Sequence, residues 1–247
     1  MIFIKNLIFF ILVITFTIDA FFFFGIILIF IRIFSSQRVA QKVLRFLIVC
    51  YGRIIIYGFA RILVKVEFID SSQGRHAHDP CVYVSNHRSA SDAFLMGVLP
   101  GEFVQIVNLW PFKLPILGLC ARLAGYLSVR SMPFDDFSKE CKKLFSNNIS
   151  IVGFPEGTRS SSSQMGQFHG TLFRVAKENQ LKIVPLCILG NEDKPLRGSL
   201  KIIPGSVEVH KLPAIGYEEY KDLSNFKFKQ YIRKKMQIFI DQHTGAA

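Results

Sequence analysis

A histidine and an aspartate five residues apart, in Asn86-His87-Arg88-Ser89-Ala90-Ser91-Asp92, are the first residues able to do chemistry in this chain. Histidine is the side chain best suited to take a proton from an alcohol near neutral pH. A neutral imidazole needs a partner on its other nitrogen to fix the tautomer and support the cation that forms, and a carboxylate serves. An ideal helix does not stack residues five apart, but a strand end turning into a helix brings them together, with Ser89 or Ser91 available to cap that helix. A second stretch, Phe154-Pro155-Glu156-Gly157-Thr158-Arg159-Ser160, pairs a carboxylate with a guanidinium on a Pro/Gly turn. Such a turn exposes backbone N–H groups, and arginine offers a planar fork that fits phosphate. Glu156 is expected either to orient Arg159 or to accept a hydrogen bond from a substrate hydroxyl. Gly-x-Ser-x-Gly is absent and no Ser or Cys stands out as a nucleophile, so direct attack by a substrate hydroxyl is the simpler chemistry.

Both stretches follow apolar runs of strand type, Cys81–Ser85 and Ile149–Phe154. Strand ends are where open α/β sheets place their ligands. The wider pattern agrees. Strands are expected at Val64–Ile69, Phe103–Val107, Tyr126–Val129, Ile183–Leu189, Leu200–Ile203 and Val207–His210, besides the two named. Helices are expected at Asp92–Val98, Ile116–Leu123, Phe134–Ser146, Thr171–Asn179 and Asn225–Asp241. Strands alternating with helices predict an α/β fold, a largely parallel central sheet flanked by helices.

The 247-residue chain is 50% hydrophobic with 25 Phe, and the excess sits at the N-terminus. Leu7 to Ile31 is interrupted only by Thr15, Thr17, Asp19 and Gly25. A run above ~18 apolar residues reads as a membrane helix. Asp19 near its middle calls for protonation or for a shallow hairpin. Only Lys5 precedes the run, whereas Arg32, Arg38, Lys42 and Arg45 follow, which places the remainder on the cytoplasmic side of the inner membrane. A second helix is expected from Gln37 to about Arg61, with Arg38, Lys42, Arg45 and Arg53 forming a basic stripe, the pattern of a helix in the headgroup plane of an anionic leaflet. The expected division is therefore an apolar membrane segment (1–34), a basic amphipathic interfacial helix (35–62) and an α/β domain (63–247). A net charge of +12 suits a polyanionic surface. With one Trp and no basic–aromatic interleaving, nucleic acid is the weaker partner and a membrane the stronger.

Five cysteines without metal-type spacing read as buried thiols of a reducing compartment. His76-Ala77-His78-Asp79 has no further ligand nearby and reads as a solvated loop, so no metal is expected. Trp110-Pro111-Phe112 is either an acyl-chain or membrane contact or an aromatic loop packed on the core.

The two motifs resemble the first and third signature blocks of the glycerolipid acyltransferases, nearest the bacterial 1-acyl-glycerol-3-phosphate O-acyltransferases. A fourth block of the family matches Ile183-Val184-Pro185-Leu186, and the resemblance spans about Val64 to Leu212. It implies that His87, supported by Asp92, is the general base on the acceptor hydroxyl. The oxygen then attacks an acyl thioester on coenzyme A or acyl carrier protein, with no metal or redox cofactor. It implies further that Glu156, Gly157, Thr158 and Arg159 bind the acceptor's phosphate side. Two blocks depart from the family. The second is Gly125-Tyr126-Leu127-Ser128-Val129-Arg130-Ser131, in which the arginine comes one position early, so either Arg130 or Ser131 fills the phosphate-binding place. After the third block the family's Phe-Lys-x-Gly is shortened to Phe168-His169-Gly170. Other lyso-lipid or hydroxylated acceptors, and a non-catalytic membrane scaffold, are the rival functions.

Overall fold

The computed structural model describes residues 1–71, 79–109, 111–159 and 164–245. His76–His78, Trp110 and Ser160, three places singled out in the sequence, lie outside them. The chain opens with two helices, α1 (Ile2–Phe34) and α2 (Gln37–Arg53), the latter prolonged by a π turn and a 3-10 turn to Ile62. Six strands follow: β1 (Val64–Asp70), β2 (Val82–Ser85), β3 (Phe103–Ile106), β4 (Ser150–Gly153), β5 (Ile183–Leu189) and β6 (Gly205–Lys211). Between and after them lie α3 (Asp92–Leu95), α4 (Pro115–Leu123), α5 (Phe134–Ser146), α6 (Thr171–Glu178), α7 (Tyr217–Tyr220) and α8 (Asn225–Thr244).

The sheet order is β1-β6-β5-β2-β4-β3. Every pairing is parallel except β5 with β6. The expected fold class is thus observed. Its cause is visible in burial: every residue of β2, β4 and β5 is buried, so these strands carry apolar residues on both faces. Val82, Val84 and Ile151 pack with Phe137, Phe173, Phe228 and Ile232 of α5, α6 and α8. Tyr83, Val152, Leu186 and Ile188 face the other way, toward Leu95, Met96, Leu99, Ile56 and Phe9. Two apolar layers sandwich one sheet.

Two expected strands are absent as such, for separate reasons. In Tyr126–Val129 only Leu127 bridges a neighbour, Ile106, because Gly125 enters at φ +78° and the chain turns away again at Arg130. In Leu200–Ile203 the backbone of Ile202 is paired by a side chain. Asn6 of α1 donates Nδ2 to Ile202 O (3.0 Å) and accepts Ile202 N–H at Oδ1 (2.8 Å). Helix α7 was not anticipated.

The N-terminal helices are docked on the domain. The face of α1 carrying Phe9, Phe10 and Val13 joins the core below the sheet, and Phe16, Ala20 and Phe24 meet Tyr51, Ile55, Phe94 and Leu117. Its other face is bare, with Phe3, Ile11, Ile14, Phe22, Ile26 and Phe30 exposed. Helices Ile2–Phe34 and Gln37–Ile62 are both long and apolar enough to cross a membrane. The basic stripe on α2 divides. Arg38 and Lys42 are exposed. Arg45 is buried, pairing with Glu102 (2.7 Å) and donating to Ala124 O (2.8 Å), and Arg53 donates to Gly97 O (2.8 Å). Of the four cations expected on one face, Arg45 alone is buried; Arg53 stays exposed while its Nε is tied to the domain.

Candidate active site

The site begins where β2 ends. Ser85 pairs with Leu186 of β5, and there the backbone ladder stops. The Asn86 side chain takes it over, donating Nδ2 to Ile188 O (2.9 Å) and accepting Ile188 N–H at Oδ1 (2.7 Å). An amide that mimics one more rung of sheet frees the main chain to turn, and His87 is the residue carried out on that turn. Its ring stacks on Phe154, 4.5 Å between centroids at 27°.

Asp92, the first residue of α3, is fully buried and lies 2.7 Å from His87 Nδ1 through Oδ2. A carboxylate only accepts, so Nδ1 is the donor of this contact, and Nε2 makes no hydrogen bond among the described residues. The same oxygen accepts Arg88 N–H (2.6 Å) and Ser89 N–H (2.8 Å), and Oδ1 accepts Asn191 Nδ2 (2.6 Å). Four donors meet a charge that would be costly to bury bare. The serines do not cap α3 as expected. Ser89 Oγ and Ser91 Oγ both donate to Lys194 O, the former at 2.8 Å, tying the motif to the segment after β5.

The second motif leaves β4. Phe154-Pro155-Glu156-Gly157 forms a turn closed by Gly157 N–H to Phe154 O (3.0 Å). Gly157 is left-handed at φ +69°, and a Cβ there would lie 3.0 Å from Cδ2 of the His169 ring, so the position takes glycine for backbone and for space alike. His169 is exposed, and its own N–H donates to Pro155 O (2.7 Å).

Glu156 does not orient Arg159, one of the two roles expected of it. Its side chain is buried and both oxygens are occupied by main chain. Oε1 accepts His87 N–H (2.9 Å) and Oε2 accepts Gly166 N–H (2.7 Å). The residue braces the histidine turn against the 165–166 segment. That segment is held from behind by α8, where Gln237 Oε1 accepts Met165 N–H (2.8 Å) and Arg233 Nε donates to Gly166 O (2.9 Å). Arg159 is half-buried and makes no hydrogen bond or ion pair among the described residues, so the expected Glu156–Arg159 pair does not form. Thr158 is exposed beside it.

The Gly125–Ser131 segment reaches the same end of the sheet, because Leu127 runs parallel to Ile106 at the end of β3. Ser131 Oγ donates to Ser128 O (2.8 Å). The Arg130 side chain is exposed, without a hydrogen bond or ion pair among the described residues. The structure thus brings His87, Asp92, Glu156, Gly157 and His169 into contact and places Arg130, Ser131, Thr158 and Arg159 on loops leaving the same strand ends. Among the described residues no cluster of three or more His, Cys, Asp or Glu side chains could hold a metal ion. Sequence reasoning missed Asn191, the side chain that donates to Asp92 Oδ1 among the described residues. The signal was there: a polar residue two positions past the apolar run of β5, as His87 is two positions past β2.

A parallel α/β sheet with a buried-carboxylate histidine at its strand ends defines a class, and comparison with known proteins supplies the family. The model of the family described as Acyltransferase matches residues 64–189, just over half of the chain, and the chain belongs to that family. It is 32% identical over 165 residues to the chloroplastic 1-acyl-sn-glycerol-3-phosphate acyltransferase of Arabidopsis thaliana, covering 65% of this chain and 44% of that protein. It is 31% identical over 150 residues to the alpha form of Ovis aries, covering 58% and 51%. The chain spans about half the length of these two curated relatives. In fold it matches the crystal structure of the 1-acyl-sn-glycerophosphate acyltransferase PlsC from Thermotoga maritima, with TM-score 0.78 over 99% of this chain and 98% of that one at 19% identity.

Proposed function

We propose that this protein moves a fatty acyl group from a thioester, on coenzyme A or acyl carrier protein, to the free hydroxyl of 1-acyl-glycerol-3-phosphate, giving phosphatidate. The observation that carries this reading is the His87 Nδ1–Asp92 contact at the strand ends, with Nε2 making no hydrogen bond among the described residues. Nε2 takes the hydroxyl proton as the oxygen attacks the thioester carbonyl. The C–O bond forms, the C–S bond breaks, and the proton passes from the imidazolium to the departing thiolate. General-base assistance of this kind contributes about 10²–10⁴-fold. The names of the relatives support the acceptor.

Arg159 and Arg130 are the cations left for the acceptor's phosphate, since neither has a partner among the described residues. The engagement of Ser131 Oγ with Ser128 O favours Arg130 over Ser131. Gly157 and Thr158 line that turn, and Glu156 serves it from below by holding the turn's neighbours. Residues 1–34 and 35–62 act as the membrane anchor, with the bare face of α1 toward lipid, and residues 63–247 as the catalytic unit. No metal or redox cofactor is called for, because the donor is already activated as a thioester.

The test is acyl transfer by the full chain in anionic lipid, with lysophosphatidate and a panel of acyl-CoA and acyl-carrier donors, beside His87→Ala. Turnover is expected to fall about 10²–10⁴-fold in the variant while vesicle binding is unchanged. Equal turnover by both proteins would refute the general-base assignment. Arg159→Ala should raise KM for the phosphorylated acceptor; an unchanged KM would point to an acceptor without phosphate.

A further inference from the structure

The segment between β5 and β6 is used at its start and its end. Asn191 and the Lys194 carbonyl hold the Asp92 motif, and Ile202 is buried and bound by Asn6. Between them, Leu196–Lys201 touches neither. It is a closed loop, with Leu196 N–H donating to Lys201 O (2.9 Å), Ser199 N–H to Leu196 O (3.0 Å) and Gly198 turning at φ +75°. The closure holds two leucines out in solvent, Leu196 at 40% and Leu200 at 72% exposure. Beside them Arg197 and Lys201 are exposed, and no acidic residue occurs from Pro195 to Gly205.

We propose that the Leu196–Lys201 loop is a second membrane-contact element, entering the interfacial layer of an anionic bilayer beside the first turns of α1. The proposal rests on the membrane reading of α1. Single exposed leucines are ordinary on soluble proteins; these two differ in their setting. The Asn6–Ile202 pair fixes the loop to the first turns of α1, where Phe3, Ile4, Leu7 and Ile8 are exposed. The loop therefore continues an apolar surface already assigned to lipid. Its only charges are cations, the sign that complements anionic headgroups and opposes insertion beside another basic surface. Two residues before the loop, the Lys194 carbonyl receives Ser89 and Ser91, so lipid contact here occurs near the rim of the His87 site.

Tryptophan fluorescence tests it. The chain has one Trp, so Leu200→Trp in a Trp110→Phe background reports from the loop alone, and Leu196→Trp repeats the measurement independently. Full-length protein is mixed with phosphatidylcholine vesicles with and without phosphatidylglycerol, and sedimentation is measured alongside emission. The expected result is a blue-shifted emission on bound protein, quenched by bromine placed high on the acyl chains. Arg197→Gln and Lys201→Gln should each weaken binding to the anionic vesicles by roughly fivefold, the effect of one interfacial cation. Water-like, unquenched emission from protein that still sediments with vesicles overturns the proposal and leaves the membrane reading of α1 standing. Failure to sediment at all overturns both.

Discussion

Replacing Glu156 by Gln changes one oxygen to an amide nitrogen and little else in shape. In the structure Oε1 and Oε2 each accept a main-chain N–H, from His87 at 2.9 Å and from Gly166 at 2.7 Å. A glutamine can satisfy one of these and must turn an N–H₂ toward the other. A hydrogen bond to a charged group is worth about 1.5–3 kcal/mol and a neutral one about 1 kcal/mol, and a buried donor left unpaired adds its own cost. One bond is lost and the other weakened, so the expected destabilisation is about 2–4 kcal/mol. For a chain of this size that is a fall in Tm of roughly 5–15 °C. The N–H left unmatched lies on or one brace away from His87, and a misplacement of about 1 Å at a reacting group costs on the order of 10²-fold in rate. Glu156→Gln should therefore lower kcat by about that factor with KM for the acceptor little changed. Thermal unfolding and steady-state kinetics on the same preparation check both halves. An unchanged Tm with a raised KM would refute the bracing role and return Glu156 to direct contact with substrate.

Asp92→Asn keeps the shape and removes the acceptor that fixes the His87 tautomer; a loss of about 10³–10⁴-fold in kcat is expected, by analogy with a carboxylate-to-amide change under a catalytic histidine, and a loss under tenfold would refute the pairing. Gly157→Ala places a methyl 3.0 Å from the His169 ring at φ +69°; it should cost about 1–2 kcal/mol in the left-handed backbone and raise KM for the acceptor, read from urea midpoints and kinetics. The Cys141 thiol is pushed by burial up to about 12 from 9.0. Above pH 9 the unfolded chain releases this proton while the folded chain keeps it, so stability is lost as pH rises from about 9 toward 12, at up to about 1.4 kcal/mol per pH unit for one group. Burial raises Cys81 in the same direction. Urea midpoints at pH 8 and pH 10 should show this decline, shallower in Cys141→Ala.

The strands that were legible are those buried on both faces. β2, β4 and β5 are apolar at nearly every position because helices cover both sides, and a continuous apolar run between turn residues is readable without any partner. Leu200–Ile203 has the same composition and is no strand, since its pairing comes from Asn6, 196 residues away. Nothing local distinguishes a backbone paired by a strand from one paired by an amide. The site divides in the same way. His87 and Asp92 were legible because their contact is made within one turn, whereas Asn191 meets Asp92 across 99 residues. Glu156 was visible as a carboxylate on a turn, but what a carboxylate faces is decided by the fold, and here it faces two backbone amides. The four cations of α2 are legible in the sequence, but that Arg45 is buried and Arg53 is tied to the domain depends on Glu102 and on the carbonyls of Ala124 and Gly97.

The topology joins the N-terminal helices, the proposed anchor, to the proposed chemistry. β6 runs against β5, and β1 runs with β6, Val64 pairing with Gly205. The first residues of β1 and β6 therefore lie at the end of the sheet where β2, β4 and β5 finish. Had β1 and β6 run with β5, the π and 3-10 turns that end at Ile62 would enter at the far end, a strand length from His87. As built, the chain leaves α2 and its terminal turns and enters the sheet on the side where Asn86 redirects β2 and Pro155 redirects β4. The Leu196–Lys201 loop emerges on that side too, flanked by Ile202, which Asn6 ties to α1, and by Lys194, whose carbonyl receives Ser89 of the histidine turn. For an enzyme whose proposed acceptor and product are both lipids, this matters physically. In the proposed reaction the acceptor's hydroxyl must reach Nε2 of His87 while its acyl chain stays out of water, and with α1 and α2 as the proposed anchor a site at this end of the sheet meets that requirement without extracting the lipid from the membrane.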